Sequence, residues 1–338
     1  MSIRLEKDRF IPFSHFIKKL YAIDTVQESY DLDGYMTAKW DDPGILFRKG
    51  LSFEGDNIDS VLGTRIWSPS LEFVNRMKER DSPQRTLDFG RDSDPEKPDT
   101  GNVKYSERFQ GTFWSSAIHF RKHPFDKQIF ELLLESFAND NKVLEFALFP
   151  NKSARKDGPR CHLDLKKPDI KQLHDSIIEW DLLRICESIS ETDLGGGAEY
   201  SKYTFSIEAE RKPAYFVWQF FLPLMLIIAS SWVVFFIQDF SSRLNIGFTL
   251  LLTVVAFNFY TSTLLPRLPY NTFMETTVIS GYVSIFCAIL AVVLSHFSEG
   301  TRYQSSIERY LSHCRWVFPL AYALSAAFVI WWFLYGIS

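Results

Sequence analysis

Residues 10–212 alternate short apolar runs with turn residues, which is the pattern of an antiparallel sheet protein. The runs predicted to be strands are 11–21, 26–40, 64–73, 102–109, 111–120, 128–137, 142–149, 176–188 and 199–211. About ten strands of such lengths predict a two-layer β-sandwich. The polar stretches 76–101 and 151–175 interrupt the runs and are predicted to be surface loops.

Beyond residue 212 the pattern changes to four long apolar stretches, 215–237, 242–265, 276–297 and 316–335. Each is close to the roughly 20 residues that a helix needs to cross a bilayer. The sequence therefore predicts a sandwich domain over residues 1–212, followed by a four-helix transmembrane domain over residues 213–338.

The second span, 242–265, is apolar but carries a stripe with polar residues at both ends. Its members recur at alternating steps of four and three, which places them on one helical face. They are Asn245, Thr249, Leu252, Ala256, Phe259 and Thr263. From this segment alone two interpretations stay open: a face that lines something wetter than lipid, or an ordinary span whose threonine hydroxyls bond their own backbone.

Charge is divided between the two parts as unevenly as hydropathy. The chain from Tyr215 onward has five basic and four acidic residues, whereas the chain before it has 32 basic and 37 acidic residues. The net charge of -4 offers no basic surface for nucleic acid. The spans place the sandwich and both termini on one side, and four arginines lie in the short connections opposite, against Arg267 alone on the sandwich side. This bias predicts that the sandwich and both termini lie outside the cell membrane.

Residue patterns that carry enzyme or metal chemistry are scarce. No zinc-protease, serine-hydrolase, phosphate-loop or paired-cysteine metal motif occurs, so neither an enzyme nor a resident metal or cofactor is predicted. Cys161 and Cys186 could pair, but their spacing does not decide it. The acidic spacings at Asp31 and Asp33 and at 92–96 leave divalent-ion modulation open beside the simpler interpretation as solvated loops.

Six local motifs then resemble, in order, the signatures of one family. They are Trp40-Asp41-Asp42-Pro43, Ile66-Trp67-Ser68-Pro69 with Asn75, His123-Pro124-Phe125-Asp126-Lys127-Gln128, Glu179-Trp180-Asp181-Leu182, Arg211-Lys212-Pro213 and Cys314-Arg315-Trp316-Val317-Phe318-Pro319. With the order of the two domains, they resemble the pentameric ligand-gated ion channels, the superfamily of nicotinic and glycine receptors, over essentially the whole chain. The second and third spans resemble bacterial, amine-gated members. That likeness implies a multi-pass protein in the lipid of a bacterial inner membrane.

The resemblance implies that four identical partner subunits join this one around a pore lined by the stripe of the second span. Rings of Leu252 and Phe259 are then the candidate gates, because apolar rings close a pore by dewetting. Asn245 and Thr249 form the narrow hydrated end. A membrane receptor that binds without conducting is the alternative from another functional class.

Ion selectivity is expected just before the second span, at Asp239 and Ser242. A ring of Asp239 carboxylates implies permeant monovalent cations. The alternatives are that Asp239 merely pairs with Arg243 and that the channel selects anions.

The resemblance also implies a small-molecule agonist held between subunits by aromatic rings. The matching residues are Glu135, Phe137, Trp180, Tyr200 and Tyr203, with 190–197 as a capping loop. Glu135 is the expected counter-charge for an amine. The simpler alternative is that these aromatic residues belong to the sandwich core.

Coupling between the domains is implied at a third set of residues, namely Asp24, Thr25, Pro124, Phe125, Asp126, Arg211, Pro266, Arg267 and Pro269. Asp126 and Arg211 are expected to pair there, although a purely structural ion pair has the same sequence. Protons are a second candidate agonist, because His119 and His123 fall in the same loop; lone histidines are more often structural.

Overall fold

The computed structural model describes residues 9–24, 26–41, 52–58, 62, 67–79, 84–89, 102–115, 119–141, 143–148, 159–163, 168–193, 199–263, 268–297 and 304–336. The chain divides into two compact units. One contains residues up to 118 and 127–210, and the other contains 119–126 and everything from 211 onward.

The described part of the first unit contains twelve strands, one short α-helix and one 3-10 turn, Gly55–Ile58. The strands are β1 (Arg9–Asp24), β2 (Ser29–Asp41), β3 (Ser52–Glu54), β4 (Leu71–Phe73), β5 (Arg76–Glu79), β6 (Gln84–Phe89), β7 (Asn102–Trp114), β8 (Lys127–Ser136), β9 (Leu144–Leu148), β10 (Arg160–His162), β11 (Trp180–Asp193) and β12 (Glu199–Arg211). The helix is α1 (Pro168–Ser176). One sheet has the order β3-β6-β7-β2-β1-β9 with β5 beside β7, and the other has the order β10-β11-β12-β8-β4.

Both sheets contribute large side chains to one core, which confirms the predicted sandwich. Tyr30 and Phe113 come from the first sheet, and Phe130, Trp180 and Tyr203 come from the second. All five are almost completely buried. Alternation along the strands produces this core because successive side chains point to opposite faces of a sheet.

Several predicted boundaries are wrong. Stretch 76–101 contains β5 and β6, and stretch 151–175 contains β10 and most of α1, so neither is only a loop. Strand β4 occupies only the end of the predicted strand 64–73, and β11 begins at Trp180 rather than at residue 176. The two strands predicted on either side of residue 110 are one strand, β7.

Gly111 lies within β7 because β5 passes close to it. A Cβ atom at this position would lie 2.9 Å from the carbonyl oxygen of Lys78. The glycine therefore marks a close approach of two strands, where the sequence pattern indicated a break.

At the edge of the second sheet, Cys161 and Cys186 face each other across β10 and β11 and are disulfide-bonded.

Asn75 links the two sheets from the turn between β4 and β5. Its Nδ2 donates to the carbonyl oxygens of Trp114 on β7, at 2.8 Å, and Glu131 on β8. Its Oδ1 accepts from the backbone N–H of Leu133, at 3.0 Å. One buried amide thus bonds backbone groups of both sheets, and the Glu131 carbonyl oxygen also accepts from the Tyr30 hydroxyl.

The described part of the second unit is mainly helical apart from the loop 119–126 and the connections between helices. Helix α2 (Ala214–Phe216) continues through a wider π-helical turn, Val217–Phe221, into α3 (Leu222–Ser231) and a 3-10 turn, Trp232–Phe235. Then follow α4 (Phe240–Thr261), α5 (Phe273–Phe297) and α6 (Gln304–Trp331). Pro223 lacks an N–H group, and the π-helical turn immediately before it accommodates the missing bond.

In the described part of the chain, four helical segments are long and apolar enough to cross a membrane: Ala214–Phe235, Phe240–Thr261, Phe273–Phe297 and His313–Trp331. This confirms the predicted four-helix transmembrane domain. Helices α4 and α5 approach closely at Gly247, where a Cβ atom would lie 2.7 Å from Cγ1 of Ile289. The chain is therefore a multi-pass membrane protein with a β-sandwich domain.

We expect Asn75→Ala to destabilise the sandwich by about 2 kcal/mol, because it removes the side-chain partner of the Trp114 carbonyl oxygen and of the Leu133 N–H. Asn141→Ala is the matched control, since the Nδ2 of Asn141 donates to the exposed Glu191 carboxylate at 2.9 Å. Thermal unfolding of the detergent-solubilised protein measures both. Equal melting temperatures for the two variants would contradict the cross-linking role of Asn75.

Candidate functional site

The predicted stripe of α4 is exposed in the single chain along its whole length. Asn245, Thr249, Ala256 and Thr263 are all exposed. The two large apolar members stand out, with Leu252 68% and Phe259 72% exposed.

The opposite side of α4 is buried. Gly247, Val254 and Thr261 follow one another at seven-residue steps and are the buried residues of this helix. Tyr282 of α5 donates its hydroxyl to the Val254 carbonyl oxygen at 3.4 Å. The helix therefore packs with one face against the rest of its own chain, and its striped face is left uncovered by the residues that the structure describes.

The threonines of the stripe bond to their own backbone, as the simpler interpretation of the span expects. The hydroxyl of Thr249 donates to the Asn245 carbonyl oxygen at 2.7 Å, and that of Thr263 donates to the Tyr260 carbonyl oxygen at 2.7 Å. A hydroxyl that donates to the backbone keeps its lone pairs for another partner. These bonds are therefore compatible with a hydrated face.

Asp239 caps the N-terminus of α4. Its carboxylate accepts from the backbone N–H of Ser242 at 2.7 Å, and this hydrogen bonding holds the pKa of Asp239 below its ordinary value. The Arg243 side chain donates instead to the carbonyl oxygen of Ile237. Asp239 thus presents an exposed, ionised carboxylate at the start of the striped helix.

Glu135 on β8 has an internal partner that sequence reasoning missed. Lys202, its register partner on β12, places Nζ 3.4 Å from Oε1 of Glu135. The hydroxyl of Thr192 also donates to this oxygen, at 3.4 Å. Both charged side chains are largely shielded from solvent, so any amine that reaches Glu135 meets a carboxylate already bound to an ammonium group.

The four aromatic residues predicted beside Glu135 lie in different places. Phe137 is 80% exposed at the end of β8, and Tyr200 is half-buried. Trp180 packs edge-on against Phe130, and Tyr203 hydrogen-bonds to His15 at 2.8 Å. Since Trp180 and Tyr203 belong to the core, only Phe137 and Tyr200 offer a ring surface to a ligand.

The acidic residues Asp31 and Asp33 of β2 have protein partners. Asp31 accepts from the Thr112 hydroxyl at 2.6 Å, and Asp33 forms an ion pair with Arg108 at 3.1 Å. Among the described residues no group of three or more histidine, cysteine or carboxylate side chains is arranged to hold a metal ion. The 92–96 spacing lies outside the described residues.

The junction loop, His119–Asp126, and the end of β12 form a buried charged cluster. Nε of Arg211 lies 3.0 Å from Oδ1 of Asp126, and both side chains are nearly inaccessible. The backbone N–H of Arg211 also donates to the Asp126 carbonyl oxygen at 3.1 Å. Burial by itself raises the pKa of Asp126, but its contacts with His123 and Arg211 outweigh burial and lower the pKa to about 2. The expected pair is therefore present and ionised at neutral pH.

The same loop is anchored on two of the membrane helices. Phe125 stacks on Phe221, with ring centres 6.3 Å apart, and meets Phe273 of α5 edge-on at 5.6 Å. The carbonyl oxygen of Arg121 accepts from the backbone N–H of Phe273 at 3.0 Å. Pro124, between the charged and aromatic contacts, is buried. A displacement of the junction loop must therefore disturb the first and third spans.

The remaining predicted coupling residues are more scattered. Asp24 closes the turn after β1, where its carboxylate accepts from the backbone N–H groups of Val26 and Gln27 at 2.8 and 3.0 Å. Pro269 is exposed just before α5. Thr25, Pro266 and Arg267 lie outside the described residues.

Residues 6–213 match the model of the neurotransmitter-gated ion-channel ligand binding domain. The match covers more than half of the chain, and the sandwich is followed by the four spans described above. The chain therefore belongs to the pentameric ligand-gated ion channel family, the Cys-loop receptor superfamily.

Two relatives illustrate the breadth of this family. The chain is 22% identical over 311 residues to a proton-gated ion channel of Gloeobacter violaceus, covering 92% of this chain and 79% of the relative. It is 23% identical over 304 residues to the gamma-aminobutyric acid receptor subunit gamma-4 of Gallus gallus, covering 88% of this chain and 60% of the relative. The protein is a ligand-gated ion channel of this family.

Proposed function

We propose that the chain is a bacterial inner-membrane channel in which five identical subunits surround a pore formed by α4. The observation that carries this proposal is the continuous exposed stripe from Asn245 to Thr263, opposite a buried face. Polar groups such as Asn245 and Thr249 are unfavourable on a lipid-facing helix face, whereas they are stable where the same face meets water. A fivefold arrangement turns Leu252 and Phe259 into rings that close the pore by dewetting.

Cations are the proposed permeant ions. A ring of five Asp239 carboxylates at the start of α4 attracts monovalent cations and repels anions. Its exposure and lowered pKa support this role, and the Arg243 side chain donates its hydrogen bond to the Ile237 carbonyl oxygen rather than to Asp239. An anion-selective channel and a receptor that does not conduct are the competing outcomes of the experiments below.

The proposed agonist is a small amine that binds Glu135 beside Phe137 and Tyr200 in the outer domain. Cations bind well over aromatic faces and beside carboxylates. Lys202 must then be displaced from Glu135, so the amine competes with an internal ammonium group. Protons are the second candidate agonist, favoured by the buried His123 in the junction loop and by the proton-gated relative.

Replacing a ring-forming side chain by alanine removes the dewetted constriction. We expect Leu252→Ala and Phe259→Ala each to raise the current without agonist about tenfold, equivalent to about 1.4 kcal/mol of gating free energy. Recordings from purified protein in planar bilayers, with amine panels and pH steps, measure this. Leu324→Ala on α6 is the matched control, because Leu324 is also exposed but lies on a different helix. No current from any of these proteins would support the non-conducting receptor.

Asp239→Asn tests selectivity without removing the helix cap, since asparagine caps as well as aspartate. In a salt gradient the wild-type reversal potential should lie near that of the cation, and the variant should move towards zero. Asp175→Asn on α1 removes one charge from the sandwich and should leave the potential unchanged. A wild-type reversal potential near that of the anion would overturn cation selectivity.

Because the amine competes with Lys202 for Glu135, replacing Glu135 and replacing Lys202 should change the affinity for the amine in opposite directions. Glu135→Gln should weaken binding of a simple amine such as propylamine by about tenfold or more, because the counter-charge is lost. Lys202→Met should strengthen it, since the amine no longer displaces an ammonium group. Titration of agonist-evoked current and of tryptophan fluorescence measures both, with Lys104→Met as the matched control. Equal affinities in all variants would move the agonist site elsewhere.

A further inference from the structure

His123 is a buried imidazole whose contact with the Asp126 carboxylate is longer than an ordinary hydrogen bond. Its exposed fraction is 1%, and among the described residues neither ring nitrogen has a partner at ordinary hydrogen-bond geometry. The ring packs edge-on against Phe216 of α2, with centres 4.8 Å apart. A buried imidazole held only by a long polar contact is unfavourable by itself, so its presence calls for a functional reason.

The nearest charged atom to His123 in its own loop belongs to the buried ion pair. Nδ1 lies 3.5 Å from Oδ1 of Asp126, the same oxygen that Arg211 contacts at 3.0 Å. Two basic side chains therefore share one carboxylate. Only Arg211 is charged at all relevant pH values, whereas an imidazole gains its charge in mildly acidic solution.

We propose that His123 is a proton-binding site, and that a proton on its ring weakens the hold of Asp126 on Arg211 and releases the junction loop from its described position. This inference rests on the proposed gated channel, because it assigns a regulatory ligand, the proton, to the coupling segment. The ligand is chemically distinct from the amine proposed at Glu135.

Charge balance explains the direction of the effect. With neutral His123, the carboxylate and the guanidinium cancel; with protonated His123, the buried cluster carries a net positive charge, which is costly away from water. Burial lowers the pKa of His123, and Arg211 lowers it further, while the Asp126 carboxylate raises it in part.

Linkage then fixes how pH acts. In an arrangement that exposes His123, its pKa returns to about 6.5. Because the described arrangement binds the proton less well, acid favours the exposed arrangement, by up to tenfold for each pH unit below that value in each subunit. Five subunits that move together make the response steeper.

The surroundings of the ring contain few competing charges. Phe216, which packs on it from α2, is uncharged. Two other charged side chains of this unit are engaged elsewhere: Arg121 lies 5.2 Å over the Tyr270 ring, and Glu275 accepts from the Thr272 backbone at 2.8 Å. Asp126 and Arg211 are thus the charged groups whose charges act on the His123 ring.

Release of the loop has a physical route to the pore helix. Phe125 and Arg121 attach the loop to Phe273 at the start of α5. Further along α5, Ile289 packs closely against Gly247 of α4. A shift of α5 therefore reaches the face of α4 that lies opposite the exposed stripe.

The test compares His123→Phe and His123→Gln with wild type in planar bilayers as the pH on the sandwich side falls from 7.5 to 5. Phenylalanine keeps the ring against Phe216, and glutamine keeps a polar group, but neither binds a proton in this range. We expect the pH-dependent part of the current to be lost in both variants. His119→Gln, four residues away at an exposed position, is the matched control and should keep it.

Hydrogen exchange supplies a readout that does not depend on conduction. After correction for the intrinsic effect of pH, wild-type amides of residues 119–126 should lose protection between pH 7.5 and 5, and those of the two variants should not. Loss of protection without any current would contradict the proposed channel function and support the proton-binding site. Current whose pH response is unchanged in His123→Phe would contradict the proton-binding site and support the channel function. If neither variant folds, wild-type protection that is unaffected by acid overturns the proposal.

Discussion

The junction loop and the start of the first span are held together by one interaction, the buried pair of Asp126 and Arg211. Each charge is stabilised there by the other, 3.0 Å away, and removing one partner of such a pair typically costs about 3–5 kcal/mol. Arg211 ends β12 and is followed directly by the first span. The pair therefore holds two separate segments of the chain together at the point where both enter the membrane unit.

Helix α4 shows how a single helix satisfies two different environments. Small or compact residues, Gly247 and Thr261 among them, allow its buried face to approach neighbouring helices, as is common where lipid provides no hydrophobic driving force. The opposite face combines hydroxyl and amide groups at its ends with large apolar groups at Leu252 and Phe259. In a lipid-facing helix the polar groups would be unfavourable, so the stripe is consistent with a partly hydrated surface.

Strong periodic patterns were sufficient to predict the sandwich and the four spans. Strand β12 has the predicted limits because its alternation of apolar and polar residues is regular from Glu199 to Arg211. Helix α1 and the short strands β5, β6 and β10 were not predicted from the sequence. Structural propensity is weak over so few residues, and polar stretches resemble loops. Gly111 led to the prediction of a break within β7, because in a sequence a glycine required for close packing looks the same as one required for a turn.

The candidate sites were predictable only in part, because motifs identify residues but not their partners. The motif containing Asp126 indicated the ion pair, whereas nothing local reveals that Lys202 meets Glu135, 67 residues earlier, across two paired strands. Which face a side chain occupies is likewise set by the register, and this places Trp180 and Tyr203 in the core. A carboxylate shared between a fixed cation and a titratable ring, as at Asp126, arises only when the fold brings distant residues together. Such a cluster makes the stability of an otherwise structural ion pair depend on pH.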